Sequence, residues 1–321
     1  MNAYRKLDTH GDPLGSISRF VQSLWAAQNL DLMLVAPDGH GYLLESPEEV
    51  PQANPFHPMM KTNLAPLVVE MLKQHPGKRV GAILRACEMR ALNQLAWRGA
   101  FKSDDLLTIC VDCLGTYAVN EVEWRAERLA LSKDLADETL HFAPQGGIAA
   151  YRYRPACQVC VNPGATDGKV NLCVLGLPVR EELLVNSRND AVRLEPLTDG
   201  AADEALVDRR AKMLERVIER HQRTRAEMIA GLQADLPTDV DGLLDKFASC
   251  SACRACMDAC PICSVGYPRT AADGRLEEAD VINWMISCAG CGMCEQSCPE
   301  GLPLNAIFNH IRDQLELDLI I

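Results

Sequence analysis

The stretch "APLVVEMLKQHPGKRVGAILRACEMRALNQLAWRG", Ala65 to Gly99, decides the fold. Apolar residues at helical spacing predict a helix over Leu64 to Gln74, and Pro76–Gly77 marks a turn. A buried strand follows over Arg79 to Leu84, then a second helix over Glu88 to Trp97. Beyond it "DDLLTICVDC", Asp104 to Cys113, reads as another apolar strand. Strand, helix, strand over about thirty residues is a βαβ unit, whose strands run parallel and whose helix crosses over right-handed. Upstream, "SISRFVQSLWAAQNL" (Ser16 to Leu30) has helical periodicity, and "DLMLVAP" (Asp31 to Pro37) reads as a short strand ending in a turn. The expected fold is an α/β N-terminal domain with a partly parallel sheet, over residues 1–200.

Between Asp203 and Ala234 the chain changes character. Val207, Ala211, Leu214, Ile218, Met228 and Leu232 keep helical spacing among many charges, which predicts one or two long amphipathic helices ending before Pro237. The plain reading is a helical linker over 201–239, exposed between two domains. Residues 240–321 are dense in cysteine and close on an amphipathic helix, Asn305 to Leu317. They are expected to form a small α+β, ferredoxin-like, two-cluster domain.

The chain has 321 residues, enough for two domains, and 48% of them are apolar. The first thirty residues carry no secretory-signal pattern, and no apolar run of about 18 residues could span a bilayer. The expected location is the cytoplasm, alone or at the periphery of a membrane complex. A formal charge of −12 argues against nucleic acid, since no basic surplus neutralises phosphates. It suits a protein that docks on other proteins. Fifteen cysteines are the outstanding feature, and in a reducing compartment they point to metal ligation or redox chemistry rather than disulfides.

Nine of the fifteen lie in the last part of the chain. "CSACRACMDACP" sets Cys250, Cys253, Cys256 and Cys260 in the spacing C-x2-C-x2-C-x3-C-P, and "CAGCGMCEQSCP" repeats it with Cys288, Cys291, Cys294 and Cys298. This is the pattern of bacterial two-cluster ferredoxins, in which three thiolates reach one 4Fe–4S cluster and the cysteine before proline crosses to the other. One cluster then takes Cys250, Cys253, Cys256 and Cys298, and its neighbour takes Cys288, Cys291, Cys294 and Cys260. Structural zinc also uses C-x2-C pairs, but not this crossing arrangement with a terminal proline. Cys263 is surplus to the two sets and reads as a buried small side chain.

Six cysteines remain: Cys87, Cys110, Cys113, Cys157, Cys160 and Cys173. Cys87 follows one predicted strand, and Cys110 and Cys113 lie at the end of the next. In a parallel sheet these sit at the carboxyl edge, where open α/β sheets bind ligands. Cys87 also starts a helix between Arg85 and Arg90, a setting that favours thiolate. Cys157 and Cys160 form half of a four-thiolate site and can be completed in several ways. The pairs Cys110/Cys113 and Cys157/Cys160 could hold zinc; Cys87, Cys113, Cys157 and Cys160 could hold a cluster; or Cys157 and Cys160 could be a free redox dithiol. Cys173, inside "VNLCVLG", reads as a buried strand residue outside the ligand set.

Three segments, "VGAILRACEMRALNQL", "ICVDCLGT" and "RPACQVCVNPGATDGKVNLCVLGLP", occur in an order that resembles the beta-subunit family of deazaflavin-reducing hydrogenases and formate dehydrogenases. The likeness covers roughly Lys78 to Pro178 well and the first seventy residues loosely. It implies that Cys87, Cys113, Cys157 and Cys160 ligate a third 4Fe–4S cluster, with Cys110 as a substitute for Cys113. It further implies FAD beside that cluster and redox partner subunits of formate dehydrogenase, hydrogenase or heterodisulfide-reductase-like type. The chain departs from the family at "LRAC" and at "GKVNLCVLG", and carries its ferredoxin part after the flavin domain rather than before it.

No G-x-G-x-x-G follows a strand and no Walker loop occurs, so FAD rests on the resemblance alone. The seven histidines are scattered without an H-E-x-x-H pair. Asp167 and Lys169, beside Gly164 and Gly168, read as a solvated turn. The expected function is an iron–sulfur, flavin-containing electron-transfer subunit of a multi-subunit oxidoreductase, linking a formate dehydrogenase or hydrogenase type catalytic subunit to a soluble or partner-bound acceptor. The competing readings are a flavin-free wiring or scaffold subunit and a dithiol reductase using Cys157 and Cys160.

Overall fold

The computed structural model describes residues 3–102, 105–122, 132–147, 152–232, 235–248, 250 and 253–318. An eight-stranded sheet organises the first two hundred residues in the order β3-β2-β4-β5-β6-β7-β1-β8. The strands are β1 (Tyr4–Asp8), β2 (Leu32–Val35), β3 (Tyr42–Leu44), β4 (Val80–Arg85), β5 (Leu106–Val111), β6 (Val170–Cys173), β7 (Glu182–Ser187) and β8 (Gly200–Ala201). Adjacent strands β2, β4, β5 and β6 are parallel, and every other pairing is antiparallel. The parallel strands read as unbroken apolar runs because both of their faces are covered. In β2, β4 and β5 every residue is buried.

Helix α1 (Pro13–Gln28) covers one face and α2 (Leu64–Gln74) with α3 (Ala86–Trp97) the other. Alternation along β5 assigns the layers. Leu107, Ile109 and Val111 join the core formed with Phe20 and Leu24 of α1, whereas Leu106 and Cys110 join that of Val68 and Leu92. The second of these cores does not stop at the sheet. It runs on through Leu243, Trp284, Phe308 and Ile311, so the cysteine-rich region packs on the α2–α3 face.

Further helices among the described residues are α4 (Ser132–His141), α5 (Pro155–Gln158), α6 (Glu204–Leu232), α7 (Val240–Ala248), α8 (Ala255–Asp258), α9 (Glu278–Ile286), α10 (Met293–Gln296) and α11 (Leu304–Asp318). The amphipathic stretch is thus one helix; the last two residues of the predicted span, 233 and 234, lie outside the described residues. It also does more than connect. Arg210 of α6 pairs with Asp112 at 2.7 Å, Met213 and Val217 lie against Gly176 and Gly146, and Arg225 pairs with Asp313 of α11. Helix α6 is therefore a strut whose buried face touches the sheet edge and the C-terminal helix.

Beyond 240 the structure departs from the expected α+β unit. The described residues there form α7 to α11 and one isolated bridge, Thr270↔Leu276. The cause lies between the cysteine runs, where Val281, Trp284 and Met285 are buried at helical spacing rather than in alternation. Trp284 stacks on Phe247 with ring centroids 5.9 Å apart and meets Phe308 edge-on at 4.9 Å, which locks α7, α9 and α11 together.

Candidate metal centres

At the carboxyl ends of β4 and β5, Arg85 and Val111 are register partners, so Cys87 and Cys113 leave the sheet at one level. Cys87 lies in the first turn of α3, which Glu88 caps. Its carboxylate accepts from Arg85 N at 2.8 Å and from Leu64 N at 3.2 Å, tying α3 to the start of α2. Asp112 fixes the other half. This fully buried carboxylate accepts from Ala165 N, Val174 N and Leu175 N at 2.7–3.0 Å and from both Nε and Nη2 of Arg210. The residue before Cys113 thus anchors β5 to the β6 side of the sheet and to α6.

The third segment arrives on α5. Arg154, Pro155 and Ala156 lead into Cys157, and one turn later Cys160 follows, with its carbonyl 2.7 Å from His221 Nδ1 of α6. One pocket is lined by Cys87, Cys113, Cys157 and Cys160, and also by Cys291 from the second ferredoxin-type run. Cys110 is not there. It lies on the α2–α3 face of β5, 1% exposed, and burial pushes its thiol up to about 12. Cys173 ends β6 in the opposite core, fully buried, with its thiol raised by burial.

The thiols of this pocket act on one another. Burial and then the neighbouring Cys157 raise Cys113 to about 12. Cys87 is also raised, by burial first and then by Cys113. The helix terminus and flanking arginines that suggested a thiolate are outweighed by desolvation. Cys157 goes the other way: burial opposes its ionisation, but the Arg154 guanidinium and the Thr116 hydroxyl, 3.3 Å from its sulfur, bring the thiol below its usual value.

In the C-terminal region Cys256 has Cys298, Cys250 and Cys253 as its thiol neighbours, which with burial raise it to about 11. Cys294 is raised by burial and by Cys288, Cys291 and Cys260. Each group draws three residues from one run and one from the other. Cys263 is buried against Cys260. Its hydrogen bond, together with one from Trp284 Nε1 at 3.2 Å, brings Cys260 down to about 6. Gly290 N donates to Cys288 Sγ at 3.4 Å.

Two arginines join the pocket to the second run. Arg90 of α3 donates to the carbonyls of Ala289 at 2.9 Å and Asn162 at 2.8 Å, and comes within 4.0 Å of Cys160 Sγ. Arg154 is 5% exposed and reaches Thr116, Gln296 and the thioethers of Met60 and Met293. For Arg90 the sequence signal is its place beside Cys87; for Arg154 it is only a basic residue next to the A-C-x-x-C pair.

Four thiols per group, flanked by N–H donors and arginines, fit an anionic iron–sulfur cluster. Among the described residues no group of three or more His, Cys, Asp or Glu side chains has the spacing to hold a metal ion. A cube with one thiolate on each of four irons draws on a wider ligand set than a lone tetrahedral ion. FAD finds less. A groove of about 500 Å³ at the start of α1 is lined by Asp12, Gly15, Ser18, Arg19 and Gln52 among others, with no aromatic side chain. The Asp12 carboxylate already accepts from Gly15 N at 3.0 Å, where a pyrophosphate would need free N–H groups. These residues do not fit the dinucleotide. No helix among the described residues is long and apolar enough to cross a membrane. No protein-family model matches the chain.

Proposed function

We propose that the chain is an iron–sulfur electron-transfer subunit of a larger oxidoreductase, of the kind implied by its resemblance to hydrogenase and formate dehydrogenase beta subunits. One observation carries this reading: Cys87, Cys113, Cys157 and Cys160, from three separate segments, line one pocket together with Cys291. An outer 4Fe–4S cluster is held by Cys250, Cys253, Cys256 and Cys298, a middle one by Cys260, Cys288, Cys291 and Cys294, and an inner one by the four N-terminal cysteines. Bound clusters of this type supply one-electron oxidation and reduction. The chain's own part is to hold the thiolates and to keep water out, with Tyr153 and Leu114 walling the inner pocket. Arg90 and Arg154 offset the negative charge that the thiolates bring into a buried site. A partner subunit would carry the substrate chemistry.

Anaerobic purification with iron, zinc, sulfide and flavin quantified per chain tests this. The expected result is about twelve irons, as three four-iron clusters require, and no flavin. About eight irons with one zinc would replace the inner cluster by a zinc site and end the three-cluster reading. One FAD per chain would restore the flavin-bearing form that the resemblance implies.

A further inference from the structure

Arg154 is a buried cation that makes no ion pair with a carboxylate among the described residues, and the nearby Glu295 carboxylate, which feels its charge, is turned to Asn305 N at 2.8 Å. Its hydrogen-bond partners include the Thr116 hydroxyl at 2.8 Å, the Gln296 amide oxygen at 3.2 Å, the sulfurs of Met60 at 3.1 Å and Met293 at 3.6 Å, and the Cys157 thiol. None is a carboxylate. An isolated buried guanidinium is costly by several kcal/mol unless an anion compensates it. The other buried arginines show the usual solutions: Arg210 has Asp112 at 2.7 Å, and Arg85 has Glu88 at 3.8 Å. Arg154 lines one pocket with Cys157, Cys87 and Cys291, two thiols of the inner group and one of the middle group. The seam is tight here, since a Cβ on Gly292 would lie 2.2 Å from the Ala156 Cβ.

We propose that Arg154 is the shared counter-ion of the inner and middle clusters, a positioning residue that raises the reduction potentials of both. This rests on the three-cluster reading. Each added electron makes a cluster one unit more negative, so a fixed cation beside it favours the reduced form. The outer cluster, held by Cys250, Cys253, Cys256 and Cys298, has no thiol among those that Arg154 meets. It serves as an internal reference. The geometry also ties the residue to two sites at once: Thr116, its partner on one side, lies 3.3 Å from Cys157 Sγ, and Met293, its partner on the other, is flanked by Cys291 and Cys294 in the chain.

The test is an EPR-monitored redox titration of the purified anaerobic chain as wild type, Arg154→Gln, Arg154→Lys and Gln296→Glu, with iron counted in each. Gln296→Glu keeps Arg154 but places a carboxylate within reach of it, and so cancels the charge without removing the residue. R154Q and Q296E should each lower the reduction equilibrium constant of the inner and middle clusters by about tenfold, which is about 59 mV for one electron. The outer cluster should stay within about twofold, and R154K should stay near wild type. If R154Q fails to keep its iron, Q296E reads the same effect. Wild type with fewer than about twelve irons would sink the three-cluster reading itself. Full iron content with unshifted inner and middle potentials in the variants that retain it would sink the role of Arg154 and leave that reading standing.

Discussion

The inner and the C-terminal cysteine groups solve the same chemical problem by different means. In the C-terminal region three ligands of each group come from a run of seven residues, and the local chain can wrap them. Its sulfurs meet dipoles, Trp284 Nε1 on Cys260 and Gly290 N on Cys288, alongside the charge of Arg154 near Cys291. In the inner group the proposed ligands span 74 residues, Cys87 to Cys160, and only the parallel sheet brings the first two to one level. Its sulfurs meet charge, from Arg90 and Arg154. A motif-built site depends on its own loop. A topology-built site depends on the fold around it, and should fail with that fold.

The largest effect tests that independence. Cys157→Ser should remove the inner cluster, about four of twelve irons, and leave the EPR signals of the two C-terminal clusters intact. Loss of all three signals would mean that the two regions are one cooperative unit, contrary to the contrast drawn above. Next in size is Asp112→Asn, which touches no ligand. It leaves Arg210, 6% exposed on its side chain, without its buried partner, and breaking such a pair costs about 3–5 kcal/mol. Denaturant unfolding should read that loss, and iron should leave the inner site before the outer ones. A loss below about 1 kcal/mol would show that the sheet edge does not rely on Asp112.

What the sequence disclosed follows the same division. The helix over Leu64 to Gln74 ends where its periodicity says, and the strand after it is shifted by one residue to Val80–Arg85. That shift moves the start of α3 to Ala86 and puts Cys87 inside its first turn. Cys173 and Cys263 are buried, as apolar neighbours suggested. The α+β expectation for residues 240–321 came from the cysteine spacing, which constrains ligand loops but not the segments between them. Arg154 and the Asp112–Arg210 pair were invisible because their meaning is tertiary. Asp112 and Arg210 are 98 residues apart, and no local pattern distinguishes either from a surface charge.

The seam between the two regions can be probed with less damage. Gly292 has φ +66° and sits against Ala156, so Gly292→Ala combines left-handed strain with a clash and should cost about 2–4 kcal/mol. Gly77 has φ +78° with nothing within 4 Å of its would-be Cβ, so Gly77→Ala should cost about 1–2 kcal/mol from strain alone. Thermal unfolding of the two variants isolates the close approach by difference. Equal losses would show that the backbone gives way at Ala156 and that the seam is looser than the contact implies.

The smallest effect belongs to Trp284. Its ring is fixed between Phe247 and Phe308, so Trp284→Phe keeps most of the stacking and deletes one N–H to the Cys260 sulfur. Hydrogen bonds to the sulfurs stabilise the more negative, reduced state, and losing one should lower the middle cluster's potential by about 30–60 mV, about threefold to tenfold in equilibrium constant. The indole N–H bonds to Cys260 and to no sulfur of the inner group, so the inner cluster should not follow. A redox titration in which both potentials fall together would mean that the indole acts through packing at the shared core and not as a local dipole on Cys260.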